Sequence, residues 1–165
     1  YLMAAYDSSD YYARLILEKG NVNAGAQNKA TLFIGKAAKA KGDYETAKDE
    51  FISTLNTAQD EYGAEAKYLL AEIFYLNKDY KLCYETLISL NRDFSTYTDW
   101  VGKSFLLLEE YYIAMGDLFQ AKATLKSLID NFPQEQVKIV ARERLKKLED
   151  EELKKQVKPD TIEVK

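Results

Sequence analysis

The chain has 165 residues, 47% of them apolar and 30% charged, enough to bury a core in one domain or a short repeat array. A net charge of -4 argues against a nucleic-acid partner, since cationic contacts to phosphate dominate that affinity. Charged residues interrupt every apolar stretch, so nothing approaches the roughly 20 apolar residues of a membrane helix, and the single cysteine, Cys83, cannot form an intramolecular disulfide.

Two prolines and seven glycines in a chain rich in Ala, Leu, Lys and Glu predict helices throughout, and no stretch keeps the period-2 alternation of a strand. The chain begins at Tyr1 with neither an initiator methionine nor a signal sequence, so a longer precursor is expected. Residues 10–19 (DYYARLILEK) read as the second helix of a partial repeat over 1–23, stopped at Gly20 and followed by a polar loop at 21–23.

Three segments then repeat one shape: KGDYETAKDEF (41–51), NKDYKLCYETL (77–87) and MGDLFQAKATL (115–125). In register, Asp43, Asp79 and Asp117 are each expected to cap a second helix, and Gly42 and Gly116 to end a first helix in the left-handed conformation. Four residues after each aspartate comes a small residue, Ala47, Cys83 or Ala121, and four further on a large one, Phe51, Leu87 or Leu125. Small and large at i and i+4 share one helical face, which lets two axes approach and seals the contact. Apolar residues at helical spacing upstream, such as Leu70, Ala71 and Phe74, mark the opposing first helices.

The segment IGKAAKAKGDYETA (34–47), with Gly35 at a small position of the first helix, resembles the central signature of the tetratricopeptide repeat family. The resemblance implies an all-α fold, a right-handed α-α superhelix or solenoid of about three helical hairpins, spanning about 28–62, 64–99 and 102–133, with Pro133 at the closing position. Lys78 stands where the second turn would have glycine, and Glu109 occupies the small position of the third repeat. The extra residues of the longer spacings are expected in loops near 60–63 and 95–100. A charged helix over 134–155 with an apolar stripe at Val137, Val140 or Ala141, Leu145 and Leu148 is expected to cap the array, and 156–165 to form a flexible tail. The repeat endings SLIDNFP (127–133) and LISLNRDF (87–94) resemble the subset of these repeats found in bacterial cell-envelope proteins, which implies a periplasmic or envelope location.

No catalytic constellation assembles. The sequence has no histidine, which removes Ser-His and Cys-His nucleophiles and the commonest metal ligand. Cys83, at the small packing position, reads as a core thiol. GNVNAG (20–25) has P-loop glycine spacing, but Ala26 and Gln27 follow where lysine and serine or threonine are required, so it reads as a flexible connection. Glu109 and Glu110 diverge by about 100° on a helix and read as a solvated edge, as do the carboxylates of 149–152. No cofactor or metal is expected, and the chain is not expected to be an enzyme.

In tetratricopeptide arrays the first helices line a concave groove, and the resemblance implies the lining residues. They are Leu32, Lys36 and Lys39, then Tyr68, Glu72 and Tyr75, then Lys103, Leu106, Glu110 and Ile113. Lysines on the first rung, carboxylates on the later ones and tyrosines between them would orient a protein or peptide segment by charge and anchor it on aromatics. The expectation is a non-catalytic interaction scaffold, the alternative a structural segment of a longer solenoid or self-assembling envelope protein. The oligomeric state is left open.

Overall fold

The computed structural model describes the backbone over residues 2–157 and the side chains over 6–155. Among the described residues there are eight helices and no strand: α1 (Leu2–Glu18), α2 (Ala24–Ala40), α3 (Tyr44–Thr57), α4 (Glu61–Leu76), α5 (Tyr80–Asp93), α6 (Thr98–Ala114), α7 (Leu118–Asn131) and α8 (Glu135–Val157). They form two compact units, residues 1–104 and 105–165, the division falling inside α6.

All three repeated elbows close in the same way. The amides of Asp43, Asp79 and Asp117 donate to the carbonyls of Ala38, Phe74 and Tyr112 at 3.0, 2.8 and 2.9 Å, the 6→1 bond of a helix-ending Schellman motif. The residue before each aspartate is left-handed: Gly42 at φ 79°, Gly116 at 76° and Lys78 at 63°. Lysine thus adopts the glycine conformation at the second elbow, at a steric cost that glycine lacks. Asp43 and Asp117 accept from the Thr46 and Gln120 amides at 3.2 and 3.0 Å, whereas Asp79 stands at the N-cap without a side-chain cap bond. Hydrogen bonds from the Thr46 side chain and amide hold the exposed Asp43 carboxyl below its ordinary value.

The small and large residues after each elbow form the interior. Ala47, Phe51, Cys83, Leu87, Ala121 and Leu125 are all fully buried, each large side chain contributing about 1.5–3 kcal/mol by leaving water. In the first unit α2 packs on α3 and α4, and α3 on α4, around Phe51, Leu70 and Ile73. Ahead of them α1 packs on α2 through Ala13, Leu17, Ala30 and Ile34. In the second unit α7 packs on α8, whose Ala141 is fully buried while Val137, Val140, Leu145 and Leu148 are half-buried.

Several helix boundaries differ from the expectation. Asn23 caps α2 by accepting from the Ala26 amide at 2.8 Å, so helix begins at Ala24 and Gly25 is helical; GNVNAG is not a flexible connection throughout. The N-terminal helix starts at Leu2, well before residue 10. Asp60 caps α4 through the Tyr62 and Gly63 amides, and α6 starts at Thr98, so 61–63 and 98–100 are helix instead of loop. Residues 158–165 of the expected tail lie outside the described residues.

Candidate functional site

The expected surface residues Leu32, Lys36, Lys39, Tyr68, Glu72, Tyr75 and Lys103 all belong to the first unit. Leu32 is a correction: it is 1% exposed and packs in the core with Phe51 and Ile73, so it offers no surface to a partner. Its neighbours on α2 do reach solvent. Lys36 Nζ lies 2.6 Å from Glu65 Oε1, and Lys39 Nζ 2.6 Å from Glu72 Oε2, linking α2 to α4. The same ammonium of Lys36 stands 5.1 Å from the centre of the Phe33 ring. These lysines are thus paired with carboxylates of the next first helix.

Aromatic side chains gather beside these pairs. The Tyr68 hydroxyl donates to Glu72 Oε1 at 3.2 Å, and its ring sits 5.6 Å from that of Trp100 in a tilted arrangement. Lys103 Nζ lies 3.8 Å from the Trp100 ring centre, a close cation–π contact by an exposed lysine. Tyr75 and Tyr80 meet edge to face with ring centres 5.8 Å apart. Trp100 Nε1 is buried without a hydrogen-bond partner, and Trp100 also walls a pocket of about 210 Å³ with Glu61, Tyr97 and Asp99.

Trp100 was not among the expected residues, because 95–100 read as an inserted loop and hid its place in the first turn of α6. The signal that would have found it is the tryptophan itself, the residue type most enriched among binding hot spots, one turn before Lys103. Nearby, Lys67 bridges α4 to α5 through Asp93 at 2.8 Å, and its ammonium lies 5.5 Å from the Phe94 ring. Hydrogen bonds from Arg92 and then Lys67 hold the Asp93 carboxyl down at about 2.

Leu106, Glu110 and Ile113 belong to the second unit, where an unexpected cluster governs them. Arg144 of α8 donates through Nη1 to Glu109 at 2.7 Å, to Glu110 at 2.8 Å and to the Leu106 carbonyl at 3.3 Å. Glu109 and Glu110 are therefore not a solvated edge: the 100° between them is spanned by one guanidinium. Glu109 is 3% exposed, and burial lifts its carboxyl above the ordinary value against the opposing pull of Arg144. Ile113 is exposed and lines a cleft of about 420 Å³ with Arg144, Lys147 and Leu148.

The Cys83 thiol is fully buried, inaccessible as a nucleophile. No group of three His, Cys, Asp or Glu side chains placed to hold a metal occurs among the described residues. No helix among the described residues is long and apolar enough to cross a membrane.

A family model, Tetratricopeptide repeat, matches residues 110–135, the third elbow with its second helix. The match, together with the three elbows and their buried small and large pairs, supports a tetratricopeptide-repeat family for this all-α chain, and such repeats generally mediate protein–protein interaction. No curated protein matches the chain.

Proposed function

We propose that the chain is a non-catalytic interaction scaffold, and that in its first unit the face shared by α4 and the start of α6 holds a segment of a partner protein. The observation that carries this reading is the corner of Tyr68, Trp100 and Lys103. Two aromatic rings and a cation meet there, one ring on α4 and the other with the cation on the first turns of α6. Rigid aromatics lose little entropy on binding, and Trp and Tyr with a cation beside them are the groups that dominate interface energy. The Lys36–Glu65 and Lys39–Glu72 pairs flank this corner without net charge, so the partner segment is selected by shape and aromatic contact more than by long-range attraction.

Selecting peptides from a displayed library against the intact chain tests the reading. Selected peptides should lose at least about tenfold in affinity on Tyr68→Ala with Trp100→Ala, truncation of two hot-spot residues. Peptides that bind the double variant and the parent equally would remove the assignment.

A further inference from the structure

We propose that the segment held at the aromatic corner carries an aspartate or glutamate whose side chain seats on Lys103. This inference rests on the corner being the partner site and adds the chemistry of the occupant.

Among the described residues of the first unit, three lysines place their ammonium over an aromatic ring. Lys36 stands over Phe33 at 5.1 Å, Lys67 over Phe94 at 5.5 Å and Lys103 over Trp100 at 3.8 Å. Two of them hold a carboxylate at the same time, Lys36 that of Glu65 at 2.6 Å and Lys67 that of Asp93 at 2.8 Å. Both contacts fit one ammonium, because it has three donors and a ring face engages only one side of it. Lys103 has the closest ring and is exposed, yet no carboxylate among the described residues of the first unit pairs with it. Asp99, one turn earlier on α6, lines the pocket beside Trp100 with Glu61 instead.

Repeat register accounts for the missing counter-ion. Lys36 and Glu72 each stand seven residues before their elbow aspartates, Asp43 and Asp79. Glu65 and Lys103 each stand fourteen residues before theirs, Asp79 and Asp117. The contact of Lys36 with Glu65 between α2 and α4 thus corresponds to Glu72 and Lys103 on α4 and α6, with the signs exchanged. Glu72 is engaged elsewhere: its Oε2 lies 2.6 Å from Lys39 Nζ, and its Oε1 accepts from the Tyr68 hydroxyl at 3.2 Å. Lys103 is left on the indole as a cation whose register calls for a carboxylate. A partner that brings one completes the arrangement already made by Lys36 and Lys67, with the ring contact kept. One side-chain carboxylate is the form that suits. A chain-terminal carboxylate is captured by several donors together, and the ammoniums of Lys36 and Lys39 are already paired.

The test uses peptides selected from a displayed library on the intact chain, keeping those that lose affinity on Trp100→Ala. These peptides should share one acidic position. Changing that residue to its amide should weaken binding to the parent about fivefold, the scale of a partly exposed charge pair, and leave binding to Lys103→Met unchanged. Lys103→Glu should prefer a lysine at the same position. Lys103 is exposed and methionine keeps an apolar stem against the ring, so the Lys103→Met variant folds. Peptides that need Trp100 but share no acid, or that lose equally on both proteins, would overturn the proposal and leave the corner as the partner site. Loss only on amidating the peptide's carboxyl terminus would overturn it in favour of a chain end. Basic peptides that bind Lys103→Met more tightly than the parent would overturn it in favour of a cation that takes the ring. Selected peptides none of which depends on Trp100 would remove the corner itself, and the proposal with it.

Discussion

The edge of the Phe51 ring lies where a side chain on Gly35 would have to go: a Cβ built there meets Phe51 Cε1 at 2.6 Å and Cδ1 at 2.8 Å. Phe51 is fully buried and the Glu50 Cβ stands 3.1 Å from the same point, so the ring has little room to retreat. Gly35→Ala gains about 1 kcal/mol of helix propensity but overpacks the hairpin by about 1–3 kcal/mol. A net loss of about 1 kcal/mol is expected in urea denaturation. Ala47→Leu, at another fully buried point of the same contact, should cost about 1–3 kcal/mol with no propensity gain to offset it.

Lys78 is the counterpart of Gly42 and Gly116 and the one non-glycine residue at positive φ among those described. Left-handed backbone costs a residue with a Cβ roughly 1–2 kcal/mol, and a glycine there gives back part of that in unfolded-chain entropy. Lys78→Gly should therefore stabilise the chain by about 0.5–1 kcal/mol in a thermal melt. Lys78→Val, β-branched at the same φ, should destabilise it.

Removing the guanidinium that spans Glu109 and Glu110 leaves a buried carboxylate without its partner. Arg144→Met should cost about 2 kcal/mol, less than a fully buried pair because Arg144 is itself partly exposed. The double variant with Glu109→Gln should recover part of the loss. Burial already raises the Glu109 carboxyl, so its protonated form is favoured by folding. That contribution is present below the ordinary value of 4.5 and is lost as pH rises through the raised one. The deficit of Arg144→Met should accordingly shrink on acidification.

Asp93 has the opposite sign. Its carboxyl is held at about 2 against an ordinary 3.8, so its stabilising contribution is present above pH 3.8 and disappears as pH falls towards 2. Carboxyl chemical shifts followed by NMR should show a midpoint near 2 for Asp93, moving up in Arg92→Ala and in Lys67→Met. An unshifted midpoint in both would count against the pairing.

The elbows were legible because their information is local: an aspartate, its preceding residue and a small-large pair four apart lie on one turn of backbone. The surface was less so. Leu32 and Lys36 lie one turn apart on nearly the same side of α2, and choosing which is covered requires knowing where α3 and α4 lie. The pairs Lys36–Glu65 and Lys39–Glu72 join residues 29 and 33 apart in sequence, a distance at which side-chain rotamers decide contact and periodicity does not. Glu109 broke the small-residue rule of its position, and its compensation, Arg144, stands 35 residues away on another helix. Trp100 was hidden by a helix boundary three residues out of place.

Trp100 is the only tryptophan in the chain. Light absorbed selectively by indole is therefore absorbed at one corner, between the Tyr68 ring and the Lys103 ammonium. The emission colour and intensity of the unlabelled protein report on the polarity of that corner and on little else. A segment that settles over α4 and α6 will shift this emission as it displaces water or moves Lys103.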